Sequence, residues 1–285
     1  MSQQRHLARV VTVPPLAPGF VGPGHLQALV VAPGEFSQSD PFIMLADDHL
    51  DIGDGSVGEP HPHAGFETVT LLLDGAISDR SEGGVISAGE VQWMTAGRGI
   101  IHGEDVKTIG KVRLLQLWLV LPKQQRWTTP EVQVIHNGAV PVRREPGVEI
   151  RIYSGASGDL RSPTRNNVPV TMLEIRMDPH RSVDQNLPLS YNGFLFVISG
   201  SVRIGGDVLE TGQAGWLDHS AGQGRSLLRV EAGERGARLV LYAGQPQGDR
   251  IVSHGPFIGD SNQDIVRLLK EYRSGNFPKL STLAR

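Results

Sequence analysis

An internal repeat constrains the fold of this chain more than any other feature of its sequence. The two copies are LLLDGAISDR followed by VISAGEVQWM (residues 71–94) and LFVISGSVRIGG followed by VLETGQAGWL (residues 195–217). Gly75 corresponds to Gly200 at an offset of 125 residues, and Trp93 corresponds to Trp216 at an offset of 123. A fixed offset between similar stretches indicates a duplicated structural unit.

Each copy has the pattern of a strand, a Gly turn, a short strand, a second Gly turn and another strand. Apolar runs of strand length flank the copies, such as LLQLWLVL at 114–121 and ARLVLYAG at 237–244. The chain has 35 Gly and 19 Pro but only 8 Phe, 4 Trp and 4 Tyr, which favours many tight turns between short strands. We therefore predict an all-β protein with two tandem antiparallel β-barrels.

Three segments follow from this pattern. The proline-bearing stretch 122–146 is predicted to connect the barrels, since Pro130 and Pro141 interrupt regular structure. We place the boundary near residue 140. The predicted division is an N-terminal barrel (1–140), a C-terminal barrel (141–256) and a helix with its tail (257–285).

The helix is predicted from GDSNQDIVRLLKEYRSGNF at residues 259–277. Ser261 is suited to the N-cap, and Gly275 to the position that ends the helix. The apolar face consists of Ile265, Leu268, Leu269 and Tyr272. We expect this face to pack against the helix's own domain, although a partner-binding face has the same pattern.

Two short motifs carry the chemistry. His61 and His63 are two positions apart, as are His102 and Glu104, and residues with this spacing lie on one face of a strand. If two such strands meet inside a barrel, three imidazoles and one carboxylate converge on a small volume, which is a metal site. The chain has no Cys, so thiolate-ligated zinc, Fe–S clusters and a cysteine nucleophile are excluded.

The second copy lacks these ligands. Carrying the four positions forward by the repeat offsets leads to Asn186, Pro188, Arg225 and Leu227. None of these is a strong metal ligand, so we expect one metal site, in the first barrel. Its ligand type leaves the ion open among Fe, Mn, Co, Ni, Cu and Zn.

The longer motifs carry a family resemblance. They are PHPHAGFETVT (60–70), GEVQWMTAGRGIIHGE (89–104), DPF (40–42) and GPF followed by a terminal helix (255 onward). Together they resemble the pirin family of bicupins. The resemblance implies two cupin barrels of the jelly-roll type with a short C-terminal helix, and one divalent metal in the N-terminal barrel, usually iron. It also implies two described activities, a quercetin 2,3-dioxygenase and a eukaryotic transcriptional coregulator.

By this resemblance the ligands are His61, His63, His102 and Glu104. Most cupins take their carboxylate ligand from the position of Glu67, whereas pirins use the position of Glu104. Glu67 therefore stays as a residue that could orient an imidazole, although a solvated or capping carboxylate fits the same position. Gln116 could hydrogen-bond to the site or to a substrate, although a glutamine at the barrel rim fits the same pattern.

The expected function is an Fe(II)-dependent dioxygenase that opens a flavonol-type aromatic substrate with O₂, with Glu104 as the base for the substrate hydroxyl. The alternative is an iron-bearing, redox-responsive regulator that acts through a protein partner. The formal charge of -3 and the lack of a basic cluster argue against direct nucleic-acid binding. Because no run of 18 apolar residues occurs, we expect no membrane span. The N-terminal residues contain no continuous apolar segment, and the lack of Cys fits a reducing compartment, so we expect a cytoplasmic protein.

Overall fold

A computed structural model of the protein describes residues 3–34, 36–53, 59–79, 84–103 and 106–283. The first twelve strands in chain order are β1 (Gln3–Gln4), β2 (Leu7–Thr12), β3 (Ala17–Pro18), β4 (His25–Val31), β5 (Phe42–Leu50), β6 (His61–His63), β7 (Phe66–Asp79), β8 (Gly84–Ser87), β9 (Val91–Thr95), β10 (Ile100–His102), β11 (Val106–Val120) and β12 (Glu131–Ile135).

The later strands are β13 (Val142–Glu145), β14 (Val148–Ser154), β15 (Ala156–Ser157), β16 (Leu160–Arg161), β17 (Val170–Met177), β18 (Ser182–Pro188), β19 (Asn192–Ile204), β20 (Asp207–Glu210), β21 (Gln213–Leu217), β22 (Arg225–Gly244), β23 (Val252–His254) and β24 (Phe257–Gly259). The helices are α1 (Phe36–Ser39) and α2 (Asn262–Arg273), with 3₁₀ turns at Lys123–Gln125, Asn137–Ala139 and Leu280–Thr282. The predicted all-β class with a short C-terminal helix is confirmed.

The chain forms two compact units, neither of which is contiguous in sequence. The first barrel's unit comprises residues 15–37, 42–137 and 247–285, and the second barrel's unit comprises 1–14, 38–41 and 138–246. The first two strands of the chain, β1 and β2, thus belong to the second barrel's unit. The last two, β23 and β24, belong to the first barrel's unit. The division at residues 140 and 256 stays a prediction.

The first unit contains an eight-stranded sheet in the order β12-β9-β7-β11-β5-β4-β3, with β8 paired to β7. The strands β6 and β10 form a separate antiparallel pair. Alternate side chains of β7 and β11 face a pocket on one side of the sheet, because successive residues of a strand point to opposite faces. Thr70, for example, pairs with Gln116, and both line that pocket.

The second unit contains a ten-stranded sheet in the order β13-β14-β17-β22-β19-β21-β2. The strands β1 and β18 also pair with β22, and β20 pairs with β19. An apolar cluster that includes Ile150, Leu187, Leu195, Leu228 and Leu239 forms its core.

The repeated glycines occupy equivalent positions. Gly75 has φ of 75° and Gly200 has φ of 76°, a region that side chains with a Cβ rarely adopt. A Cβ at Gly75 would collide with the carbonyl oxygen of Lys111, and one at Gly200 would collide with that of Gly236. In both units the antiparallel pairing of the two long strands shifts its register at this point, between β7 and β11 and between β19 and β22. The repeat therefore marks two strands that bend in the same place.

The terminal helix has the predicted ends. The hydroxyl of Ser261 accepts a hydrogen bond from the Asp264 N–H at 3.3 Å, and Gly275 follows the last turn with φ of 70°. Ile265 and Leu268 are buried in a cluster with Phe257. The apolar face of α2 thus packs within the protein, as predicted. Its partners belong to the unit of the first barrel. No helix in the described part of the chain is long and apolar enough to cross a membrane.

Candidate metal centre

The pairing of β6 with β10 brings the two histidine motifs together. His61 lies directly opposite His102, and His63 lies opposite Ile100. Because His61 and His63 are separated by two strand positions, their side chains emerge on the same face. A cross-strand pair and its diagonal neighbour on one face are close enough for long side chains to meet.

The three imidazoles form a compact cluster. Their ring centroids are 4.8 Å apart for His61 and His63, 4.4 Å for His61 and His102, and 4.7 Å for His63 and His102. One nitrogen from each ring lies within 4.8 Å of the other two, an arrangement that could hold a metal ion. Glu104 lies outside the described residues, so its position as fourth ligand stays a prediction.

A backbone carbonyl orients His61. The Nδ1 of this ring lies 2.8 Å from the carbonyl oxygen of Glu59, which can only accept, so Nδ1 carries the proton. The lone pair of the ring then lies on Nε2. A ligand histidine that donates its other N–H to a carbonyl is the usual arrangement around metal ions in proteins.

The environment of His63 keeps its ring neutral. The residue is only 4% exposed, and its Nδ1 has no hydrogen-bond partner among the described residues. Burial holds the pKa of His63 well below its ordinary value, and the adjacent rings of His102 and His61 lower this pKa further. Because a metal binds only the neutral imidazole, the donor set fits a divalent ion.

The cluster opens into a pocket in the first unit. About 880 Å³ of empty space lies against its walls, part of it open to solvent. Trp118 packs edge-on against His63 with the ring centroids 5.4 Å apart, and Phe20, 76% exposed, also lines the pocket. The other described lining residues are Val21, His25, Gln27, Met44, Asp48, Leu50, Thr70, Ile77, Gln92, Gly103, Leu114 and Gln116. Such mixed apolar and polar walls are typical of small-molecule sites.

Two family models match the chain. The pirin model covers residues 25–119, and the pirin C-terminal cupin domain model covers residues 172–278. Pirin-like protein 2 of Arabidopsis thaliana is 33% identical over 246 residues, which cover 83% of this chain and 75% of the relative. The chain belongs to the pirin family.

Two solved structures share the fold of this pirin. A quercetin 2,3-dioxygenase from Acinetobacter baumannii superposes with a TM-score of 0.81 at 23% identity, over 96% of this chain and 98% of the other. The bacterial pirin YhhW from Escherichia coli, in complex with nickel(II), gives a TM-score of 0.59 at 18% identity, over 81% and 95% of the two chains. The expectation of two cupin domains is confirmed.

The strand register of this pirin corrects one equivalence that the repeat offsets predict. His61 pairs with His102, and Asn186, the counterpart of His61, pairs with Leu227. With Asn186 kept as the counterpart of His61, the counterpart of His102 is Leu227 and not Arg225. The two-residue difference in offset arises at the Gly turns and does not persist to these strands.

Glu67 lies on the other face of β7 from the pocket. It pairs with Thr95 and Leu119, whereas the neighbouring position Thr68 pairs with Trp118, which lines the pocket. The Glu67 side chain is fully buried, and its Oε1 accepts a hydrogen bond from the Thr95 hydroxyl at 2.8 Å. It is thus neither solvated nor part of the three-histidine cluster. Its influence on an imidazole stays a prediction.

Gln116 lines the pocket, half-buried. Its Oε1 accepts a hydrogen bond from the Thr70 hydroxyl at 2.9 Å, across the pair of strands β7 and β11. The carboxamide nitrogen of Gln116 is thereby left for a ligand, and its contact with a substrate stays a prediction.

His25, Gln27 and Asp48 line the same pocket and were not predicted. His25 and Gln27 are two positions apart on β4, and Gln27 pairs directly with Asp48 on β5. The spacing of His25 and Gln27 could have indicated a shared face, but their approach to Asp48 depends on a register that the sequence pattern does not specify.

Proposed function

We propose that this pirin is an Fe(II)-dependent dioxygenase that opens flavonol-type substrates such as quercetin with O₂. One observation carries the proposal: three imidazoles converge at the wall of a pocket that also presents aromatic and hydrogen-bonding side chains. The quercetin 2,3-dioxygenase that shares the fold supports the reaction class.

His61, His63 and His102 would hold the ion, with Glu104 as the fourth ligand. When bound, a ferrous ion supplies the Lewis-acid and redox chemistry that O₂ insertion needs. The nickel(II)-bound E. coli pirin supports binding of a divalent transition ion in this fold. Mn, Co, Ni, Cu and Zn also accept imidazole and carboxylate ligands, so metal analysis must identify the ion.

The chain's own residues would orient the substrate and move one proton. Trp118 and Phe20 offer aromatic faces for a planar ring system, and Gln116 offers an amide donor. Glu104 would take the proton of the substrate's 3-hydroxyl. Both atoms of O₂ then enter the ring-opened ester product, and the carbon that carried the hydroxyl leaves as carbon monoxide.

The test is oxygen uptake after anaerobic reconstitution with Fe(II), with quercetin as substrate. His61→Ala should lower the bound iron and abolish turnover, while His219→Ala, an exposed histidine of the second unit, should leave both unchanged. Glu104→Gln should lower iron affinity by about tenfold or more, and Glu67→Gln should lower it less. Equal effects of the two Gln variants would contradict the ligand choice.

A different outcome would favour a regulatory protein. If iron binds at one ion per chain and no polyphenol of a broad panel causes oxygen uptake, the enzyme proposal fails. An iron-bearing, redox-responsive regulator that acts through a protein partner would then be the better account. Less than about a tenth of an ion per chain in the purified protein would contradict both functions.

A further inference from the structure

A buried carboxylate without a cationic partner lies in the wall of the pocket. Asp48 is 6% exposed, and the described lining residues include no Lys or Arg. Asp47, the preceding residue, instead makes a two-bond ion pair with Arg113 at 2.9 and 2.8 Å. A buried charge that lacks an opposite charge is costly and needs hydrogen bonds from its surroundings.

Two neutral donors support one oxygen of Asp48. The Val21 N–H lies 3.2 Å from His25 Nδ1, so this nitrogen accepts and the ring carries its proton on Nε2. That Nε2 lies 2.8 Å from Asp48 Oδ1, and the Gln27 amide donates to the same oxygen at 2.8 Å. With His25 Nδ1 accepting, both donors are neutral groups, so neither brings an opposite charge to the carboxylate.

The second oxygen of Asp48 remains for a ligand. Its Oδ2 makes no hydrogen bond to a described residue. This oxygen is also not one of the fully buried polar atoms that lack a partner, so a ligand can reach it. Asp48 is also absent from the histidine cluster, so it is not placed to share an ion with the three imidazoles. A carboxylate oxygen accepts strong, charge-assisted hydrogen bonds and repels anions. The group that Oδ2 fits is a neutral donor such as a hydroxyl.

A donor lies beside this acceptor. Gln116 pairs with Ala46, and Leu114 pairs with Asp48, so Gln116 and Asp48 are diagonal neighbours on two adjacent strands. Diagonal neighbours lie roughly 7–8 Å apart at Cα, within reach of one ligand group for long side chains. Since Thr70 occupies the amide oxygen of Gln116, its nitrogen can donate to the oxygen atom of the same hydroxyl.

We propose that Asp48 and Gln116 form a specificity subsite that recognises an aromatic hydroxyl of the ligand. The hydroxyl donates to Asp48 Oδ2 and accepts from Gln116 Nε2, while His25 and Gln27 position the carboxylate. The proposal rests on the proposed function for the use of flavonols as ligands, and it names the feature that the pocket selects: a hydroxyl-bearing ring in addition to the metal-chelating group.

The test is anaerobic binding, measured by fluorescence titration with two flavonols. Quercetin carries two hydroxyls on its pendant phenyl ring, and galangin has the same chelating ring with none there. The wild-type protein should bind quercetin at least about tenfold more tightly, as a charge-assisted hydrogen bond allows. Asp48→Asn keeps the size of the side chain and its Oδ1 contacts but exchanges the acceptor Oδ2 for a donor. This variant should reduce the preference to below about threefold while galangin affinity and iron content stay unchanged.

Asp47→Asn is the matched control, because its carboxylate is held by Arg113 and does not line the pocket. This variant should keep the quercetin preference. Equal weakening of both flavonols by Asp48→Asn would overturn the subsite, as would a wild-type protein that binds the two flavonols equally or binds neither. Preferential binding that depends on Asp48 without any oxygen uptake would uphold the subsite and contradict the dioxygenase.

Discussion

The geometry of the three-histidine cluster depends on a residue that is not itself a candidate ligand. Gly103 follows His102 with φ of 86°, and a Cβ there would lie 3.3 Å from His61 Nδ1 and 3.4 Å from Cε1 of the same ring. The same Nδ1 donates to Glu59, so the ring has little freedom to move aside. Gly103 thus leaves the space in which His61 takes its orientation.

Gly103→Ala is expected to destabilise the fold by about 1 kcal/mol because Ala is strained at this φ. It should also weaken metal binding by about tenfold, because the added methyl group presses on His61. Isothermal titration with Fe(II) or Ni(II) measures the affinity. Gly110→Ala is the control, since Gly110 has φ of 72° and open space around it. A similar loss of metal affinity in both variants would show that the contact with His61 is unimportant.

Single residues were predictable where the signal is local. The alternation of a strand brings His61 and His63 to one face without knowledge of any other strand. The contact between His25 and Asp48 was not predictable, because it joins β4 and β5 through a particular register. The chain has ten histidines, and the residues next to His25 give no reason to select it as a pocket residue.

At the scale of strands, a buried ionic network joins β14, β17 and β22. Glu174 of β17 is fully buried, and its Oε1 accepts from Arg238 at 2.7 Å and from Arg176 at 2.9 Å. Its Oε2 accepts from the Tyr153 hydroxyl at 2.9 Å. Burial alone would raise the pKa of Glu174, but Arg238 and Arg176 outweigh it and hold this pKa below its ordinary value of 4.5.

Because the pKa is lower in the folded state, the ionised Glu174 stabilises the protein above pH 4.5, and this contribution is lost as the pH falls through the folded-state value. Glu174→Gln should therefore lower the free energy of unfolding by about 3 kcal/mol at pH 7, and by less in acid. Urea unfolding at several pH values measures the difference. Glu149→Gln, which breaks a more exposed pair with Arg144, should cost under about 1 kcal/mol. A cost for Glu174→Gln that does not change with pH would contradict the ionic contribution.

The ends of α2 were predictable, but the partner of its apolar face was not. Ser261 and Gly275 act on the helix backbone beside them, so the ends of α2 could be read locally. Nothing in the apolar face of α2 specifies Phe257 and the first unit as its partner. Apolar faces have no directional preference, so packing choices depend on the rest of the fold.

At the scale of the whole molecule, Phe277 and Pro278 support the strand that carries His102. Phe277 is buried beside Phe257 and Ala64, and it occupies the space next to Gly99 that a Cβ would need. The Ile101 N–H of β10 donates to the carbonyl of Pro278 at 2.9 Å. A residue of β10 is thus hydrogen-bonded to a segment far along the sequence.

Phe277→Ala is expected to destabilise the protein by about 3–4 kcal/mol through the cavity it leaves. It should also lower metal affinity, because β10 loses its packing support. Phe196→Ala removes a comparably buried ring from the second unit and should lower stability without this effect on the metal. Metal titration of both variants under conditions where they are folded makes the comparison. Equal losses of affinity would attribute the effect to general stability.

The two barrels were predictable as a pair because the repeat recurs at nearly constant offset. The placement of the N-terminal strands in the second barrel's unit was not predictable, since β2 pairs with β21 through residues about 200 positions apart. Contacts of such sequence separation leave no local trace in composition or periodicity.

The placement of residues 247–285 with the first barrel has a consequence for biosynthesis. The ribosome synthesises His61, His63 and His102 long before it synthesises Phe277 and Pro278, which contact the region of β10. Domains usually fold in the order of their synthesis, but the unit that carries the three-histidine cluster is complete only after the sequence of the second barrel has been translated. Loading of the ion should therefore be among the last events of its maturation, and a chain that stalls before Phe277 should emerge without stable metal.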